Sequence, residues 1–462
     1  MAGTIEVDLA FLGGGVAGYT GAIRARQRGA SVAVVEHDHL GGVCLNRGCI
    51  PSKALLHSAR LAQAIPRAGE FGLKTAAPQV EYAGVARFMQ STVTRLRKGV
   101  EHLMKKHQVH VVRGRGRLAD ARHIEVEGED GRTAVRADKI IIATGSEPAM
   151  IPIPGAAEHT VTSDHIILDL EQMPSQFAVI GGGFIGCELG YALAALGSQV
   201  TMFEMMEHIL PSVDADVARE LTRALTRAGM KIHVSTRVTT IEERGGVKVV
   251  RFSNAKGEGE VEADLVLMAV GRRPRLEGTG AAEIGVEIEN GRVVVNERME
   301  TSVAGVYAAG DVTGEPLLAH TASGEARAAV TNALGGEAKW DARAVPFCVY
   351  TWPEVAAVGL TEQQAQEQRI EVRVGTFPFR ALGKALASGE REGFVKVLVA
   401  DGKVVGAHMV GPHATELIAE AAAAIWAGTP VERFAAGIRA HPTLAEATME
   451  AVEDALGHPL HK

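Results

Sequence analysis

Two cysteines, Cys44 and Cys49, stand five positions apart in the stretch GGVCLNRGCIPSK (Gly41–Lys53) of a chain with four cysteines in all. Two neighbouring thiols can close a disulfide and reopen it, moving two electrons. Closure needs Cα atoms about 4.4–6.8 Å apart. Residues i and i+5 of a regular α-helix lie roughly 8–9 Å apart, so an undistorted helix would keep these sulfurs separate. Pro51 cannot donate to residue 47 inside a helix and clashes with its carbonyl. Gly48 adds freedom, so the segment is expected to bend until the sulfurs meet. A small, partly strained loop suits a disulfide that opens and closes in turnover. The plainer alternative is a pair of free buried thiols. For Cys187 and Cys348, which have no such setting, that alternative is the reading taken.

A second pair able to do chemistry is His441 and Glu446, in HPTLAE (His441–Glu446). Thiolate, not thiol, is the nucleophile, and an imidazole held by a carboxylate can take the proton. Taken alone the pair is ambiguous. A lone His is more often a surface or core residue, and TLAE also reads as a capping box with Thr443 at the N-cap and Glu446 at N3.

The elements that must position these groups come from one unit used twice. Gly13, Gly15 and Gly18 in GGGVAG match Gly181, Gly183 and Gly186 in GGGFIG, 168 residues on. Gly29 matches Gly197, and Glu36 matches Glu204. Each copy has an apolar strand, a G-x-G-x-x-G turn, a helix, a glycine stop and a second strand ending in Glu. This is the dinucleotide fingerprint: a tight turn, close approach of the backbone to a pyrophosphate, helix packed on strand, and an acidic residue for the ribose hydroxyls. Helix N-termini face the phosphates. Two copies in one register imply two bound dinucleotides. Glu204 favours a free 2′-hydroxyl, and the following MMEHIL offers no Arg to a 2′-phosphate, so the second site is read as NAD rather than NADP.

ADKIIIATGSEP (Ala137–Pro148) and ADLVLMAVGRRP (Ala263–Pro274) each run from an apolar strand into a glycine turn, closing a unit and marking a crossing between domains. VYAAGDV (Val306–Val312) is a third such turn, with Asp311 placed to face a cofactor hydroxyl. Apolar positions 85, 88, 89, 93, 96, 100, 103 and 104 keep helical spacing and read as scaffold. After about residue 345 the pattern changes to strands around a turn at Asp401-Gly402 and an alanine-rich helix over Thr415–Ala427, a third domain of α+β type.

Composition bounds the rest. A chain of 462 residues exceeds one ordinary core and points to two to four domains. Net charge is −7 with both signs interspersed, so no basic patch for nucleic acid is expected. No signal peptide or membrane-spanning run is read, no metal is expected, and four cysteines do not make a secreted disulfide framework. A cytoplasmic location is the default reading.

GGVCLNRGCIPSK resembles the redox motif of the class I pyridine nucleotide–disulfide oxidoreductases, and within that class the dihydrolipoamide dehydrogenases. The resemblance extends over nearly the whole chain: GGGVAG, the redox motif, ATG at Ala143–Gly145, GGGFIG, AAGD at Ala308–Asp311 and HPTLAE. It implies an α/β fold with two Rossmann-like dinucleotide-binding domains, for FAD and NAD, plus a C-terminal α+β dimerisation domain. The expected spans are 1–149 and 273–343 for the FAD-binding and central parts, 150–272 for NAD and 344–462 for the interface. Cys44 is then the interchange thiol and Cys49 the thiolate against the flavin. Lys53 and Glu188 form an ion pair near the flavin's reactive nitrogen. Glu36 holds the adenosine ribose and Asp311 the ribityl chain. Thr144, Gly145, Gly271 and Gly310 fall in the cofactor-binding turns, and Phe184 gates the nicotinamide pocket. His441, oriented by Glu446, is the acid–base residue and comes from the other subunit of a homodimer.

The implied reaction oxidises dihydrolipoamide, carried on a lipoylated protein of a 2-oxo acid dehydrogenase or glycine cleavage system, and passes electrons through the Cys44–Cys49 disulfide and FAD to NAD. Rival readings are another NAD(P)H-dependent disulfide reductase, an NADH diaphorase with an idle disulfide, or a docking subunit. EMMEHIL lacks the basic residues of glutathione reductase-like enzymes, and EDALGHPLHK lacks the extra cysteine pair of mercuric reductases. The chain departs from the family at Val43, where Thr is commoner, and at Arg47, where a small apolar residue is. Arg47 reads first as a solvated loop Arg, and the alternative is that, beside the disulfide, it lowers a thiol pKa or contacts the substrate's carrier.

Overall fold

Strand β1 (Thr4–Leu12) ends in four buried residues, and β2 (Val32–Glu36) is buried throughout, in a computed structural model that describes residues 3–129, 131–314 and 316–462. Continuous burial marks strands covered on both faces of a parallel sheet. β1 pairs in parallel with β2, Leu9 to Leu12 facing Val32 to Val35, and with β3 (Gly131–Ile142), Ala10 facing Ile140. His110–Arg113 extends the sheet beyond β2, and Val306–Ala308 joins β3 in parallel. His123–Gly128 and Arg115–Leu118 add antiparallel strands at the other side. The second copy repeats the parallel part: β4 (Gln176–Ile180) lies between β5 (Gln199–Phe203) and β6 (Leu265–Met268), with Lys231–His233 outside β5. The two expected crossing segments pair with each other, Ser146–Pro148 antiparallel to Arg272–Pro274.

In each unit a helix follows the glycine turn: α1 (Val16–Gln27) in the first, which buries its small residues Ala17, Gly21, Ala22 and Ala25. The redox stretch is not one kinked helix. α2 (Gly42–Arg47) ends at Gly48, whose backbone (φ −129°, ψ −108°) breaks the helix, and α3 (Cys49–Ala64) starts immediately after. Pro51 therefore sits in the first turn of α3, where its missing N–H costs nothing. The bend expected at Pro51 is made by Gly48.

α4 (Tyr82–Lys106) starts three residues before the expected span and divides its apolar positions. Tyr82, Met89, Val93, Val100 and Met104 face the core, while Phe88, Leu96 and Leu103 are exposed. α5 (Phe184–Leu196) is the second unit's phosphate-end helix, and α6 (Ala319–Ala333) packs on α1. The C-terminal region is a five-stranded antiparallel sheet backed by α7 (Ala414–Ala427) and α8 (Glu446–Leu456). Its central hairpin turns at Asp401 and Gly402, both with positive φ (49° and 69°), the conformation that Asp-Gly favours.

Candidate active site

The two fingerprints fold alike to the hydrogen bond. Gly14 N–H donates to Glu36 Oε2 at 2.8 Å, and Asp38 N–H donates to Oε1 at 2.8 Å. In the second copy Gly182 N–H donates to Glu204 Oε2 at 2.6 Å, and Met206 N–H to Oε1 at 2.7 Å. Each carboxylate thus ties its strand end to its glycine turn, and each oxygen keeps a further lone pair for a ribose hydroxyl. Burial alone would raise the Glu36 carboxyl, but bonds from His37, Asp38 and Gly14 hold it below its ordinary range. A Cβ on Gly18 would come within 1.9 Å of the Gly13 carbonyl oxygen, and one on Gly186 within 2.0 Å of that of Gly181, so helix and turn meet backbone to backbone. The middle glycines differ. The nearest atom to a Cβ on Gly15 is 3.8 Å away, and Gly183 has nothing within 4 Å. Open space at a helix N-terminus is the cradle a pyrophosphate fits.

One cavity of about 650 Å³ is lined by Gly13, Gly15 and Glu36 and also by Cys44, Cys49 and Lys53, a size in the range of cofactor sites. Thr144, Gly145, Gly310 and Asp311 line it too, and Phe184 and Glu188 bring α5 of the second unit to its wall. Phe184 stands edge-on to Phe347, ring centres 6.0 Å apart. Asp311 accepts a hydrogen bond from Ser146 Oγ, which accepts one from Arg272 Nε at 2.8 Å. Gly271 (φ +119°) sits at the neck between the two units, its carbonyl accepting from Ala149 N–H at 3.0 Å. Ser146 and Arg272 were not singled out in the sequence, although both stand in quoted motifs. Their role comes from two segments 126 residues apart pairing as strands.

Cys44 ends up on α2 and Cys49 at the first position of α3, their side chains hydrogen-bonded to each other and unbridged. The thiols are unequal. The bond donated by Cys44 lowers the pKa of Cys49 against the pull of burial, and the Lys53 ammonium lowers it further. A helix N-terminus adds in the same direction. The same bond, with burial, pushes Cys44 up. The negative charge is thus favoured at Cys49 over Cys44. Lys53 Nζ is held at 2.9 and 3.1 Å from the two Glu188 oxygens and 4.4 Å from the centre of the Tyr350 ring. Glu188 is only 3 % exposed and also accepts the Tyr350 N–H at 3.0 Å.

Arg47 is tied to acidic neighbours. It pairs with Asp38, beyond β2, and lies 3.6 Å from Asp164 on the helix Ser163–Leu168. Its charge is spent on two carboxylates, and Lys53 is the cation that acts on Cys49.

His441 lies away from the cavity of its own chain, its side chain 80 % exposed. Its Nδ1 is 2.9 Å from Glu446 Oε1, and Glu446 Oε2 accepts the Thr443 N–H at 2.8 Å. Those bonds outweigh burial and keep Glu446 below its ordinary pKa, so it is ionised and accepts only. Nδ1 must then donate to it, and Nε2 is the ring atom left for another group. Only the Glu446 half of the capping box forms. The Thr443 hydroxyl bonds the Ala440 carbonyl instead, and α8 begins at Glu446 itself.

Two dinucleotide fingerprints, a pair of neighbouring cysteines and an ion pair beside them define a flavoprotein disulfide oxidoreductase. The chain belongs to the pyridine nucleotide-disulphide oxidoreductase family, whose description matches residues 7–326, with the family's dimerisation domain over residues 345–452. Among its relatives, a dihydrolipoyl dehydrogenase of Bacillus subtilis is 38% identical over 98% of this chain and 100% of its own. One from Thermus scotoductus is 44% identical over 96% of each. LpdA from Mycobacterium tuberculosis superposes with a TM-score of 0.89 at 29% identity, covering 97% of this chain and 99% of its own. The fold class, the membership and the two dinucleotides read from the sequence stand.

Proposed function

We propose that this enzyme oxidises dihydrolipoyl groups on a carrier protein and delivers the electrons to NAD. The observation that carries the reading is the unequal pair Cys44–Cys49 lining the cavity where both units meet, with Lys53 and Glu188 beside it. The cradle at Gly13 and Gly15, Glu36, Thr144, Gly145, Gly310 and Asp311 would hold FAD. Gly181, Gly183, Gly186, Glu204 and Gly271 would hold NAD. Bound FAD would take two electrons from the Cys49 side and yield them to NAD across Phe184.

The protein's own residues do the rest. Nε2 of His441 takes the proton of a substrate thiol, and Glu446 steadies the imidazolium. The resulting thiolate attacks Cys44 of the disulfide and releases Cys49. The second substrate thiolate then attacks its own mixed-disulfide sulfur and releases Cys44, which gains a proton. Lys53 stabilises the thiolate left on Cys49.

The reading includes a homodimer in which His441 serves the partner's Cys44. It is supported by the 80 % exposure of His441, the fully bared Ile438 nearby (99 %) and the dimerisation-domain match. The spans 1–149, 150–272, 273–343 and 344–462 are the domains we assign, FAD-binding, NAD-binding, central and interface. No helix among the described residues is long and apolar enough to cross a membrane, and a cytoplasmic setting goes with four cysteines and a reversible dithiol.

The test is NADH formation with purified FAD-loaded enzyme, dihydrolipoamide, and NAD or NADP in parallel. Fast reduction of NAD alone is expected. Reduction of NADP, or turnover of glutathione in preference to dihydrolipoamide, would overturn the reading.

A further inference from the structure

Behind Gly310 and Asp311 lies a carboxylate that the reaction does not use. Glu325 projects from α6 and is 5 % exposed, in a helix packed on α1 through alanines and glycine. Its Oε2 accepts the Gly310 N–H at 2.7 Å and lies 3.2 Å from the Thr313 hydroxyl, whose proton it shares with the Gly310 carbonyl at 2.9 Å. Among the described residues no Lys, Arg or His pairs with it, and the charged group that faces it is Asp311. Burial pushes its carboxyl up to about 7. A buried carboxylate with no cation is costly, so it calls for a reason at this point in the chain.

The turn it grips supplies one. Gly310 has φ +85° and ψ −164°, a conformation that glycine alone adopts easily. A Cβ there would lie 3.3 Å from those of Ala17 and Ala322, so the turn is pressed between α1 and α6. Past it the chain makes one short turn, Asp311–Thr313, which presents Asp311 to the cavity. Glu325 thus fastens both ends of that turn, the N–H before Asp311 and the hydroxyl at its close.

We propose that Glu325 is a positioning residue of the flavin site, which acts through Gly310 and Thr313 to fix the Asp311 carboxylate where FAD is held. The inference rests on the reading of Asp311 as an FAD ligand. Loss of a hydrogen-bond acceptor that binds two groups would loosen the turn and weaken the cofactor without touching it.

The test is the FAD dissociation constant of the apoprotein, followed by flavin fluorescence, in E325A, E325D, E325Q, T313V and D311N. E325A is expected to bind FAD about 10-fold or more weakly, the scale of a lost bond to a charged group. E325Q, which keeps an acceptor in place, stays within about 3-fold, and T313V falls between. E325A binding FAD as tightly as the parent would overturn the proposal. So would equal weakening in E325A and E325Q. If E325A does not fold, E325D, whose carboxylate is one methylene short of the Gly310 N–H, decides, and an unchanged constant there counts against the proposal. D311N with unchanged FAD affinity would instead defeat the Asp311 reading, whatever Glu325 does.

Discussion

Lys53 serves two neighbours at once, the buried Glu188 carboxylate and the Cys49 sulfur. Lys53→Met should raise the Cys49 pKa, since the cation that favours the thiolate is gone. The midpoint of alkylation rate against pH in the reduced enzyme reads this directly. The same change strands Glu188, which is 3 % exposed, at a cost of about 3 kcal/mol. Adding Glu188→Gln should restore the stability but not the reactivity, which separates the two jobs. His441 has one job, confined to the thiol half of the reaction. His441→Ala should slow dihydrolipoamide oxidation by about 10²–10⁴-fold and leave NADH oxidation by an artificial dye unchanged. Equal loss in both assays would show that His441 acts elsewhere.

At the scale of elements, the two strand–turn–helix units make parallel predictions. Gly18→Ala drives a methyl into the Gly13 carbonyl and should release FAD, whereas Gly186→Ala does the same to Gly181 and should release NAD while the enzyme stays yellow. Titrations with each nucleotide distinguish the two, and loss of both from either variant would break the assignment. The turn under Asp311 gives a pH effect. The Glu325 carboxyl sits at about 7 against an ordinary 4.5, so the folded apoprotein holds its proton more tightly. That contribution is complete below the ordinary value and is lost as pH rises through 7, a fall of about 3 kcal/mol. Glu325→Gln should flatten this slope in chemical denaturation curves, and an unaltered slope would assign it to another group.

These elements also show what a sequence discloses. The repeated glycines, Glu36 and Glu204 were legible because each unit is local in sequence and its backbone needs are met by residue type. Glu325 was not, because an acidic residue within an alanine-rich helix looks solvated until the helix is packed on α1. Ser146 and Arg272 stayed hidden because their meeting depends on a long-range strand pair. Pro51 misled because its helix-breaking rule applies to interiors, and Gly48 had already ended the helix. Thr443 and Glu446 spelled a capping box; its Glu446 half forms at the Thr443 N–H, but the Thr443 hydroxyl goes to the Ala440 carbonyl.

For the whole molecule, the cavity and His441 lie apart in one chain and are brought together in the proposed dimer. Co-expressed subunits carrying Cys44→Ser and His441→Ala test this. A purified hybrid has one site with both defects and one with neither, so it should keep about half the activity of the parent dimer. If each site belonged to one chain, the hybrid would be as inactive as its parents. The most direct measurement concerns the electron path itself. Cys44→Ser and Cys49→Ser, each loaded with FAD, are assayed for NADH formation from dihydrolipoamide and for dye reduction by NADH. Loss of the first with survival of the second in both variants is the result predicted. Dihydrolipoamide turnover that persists without either cysteine would contradict the route through the Cys44–Cys49 pair.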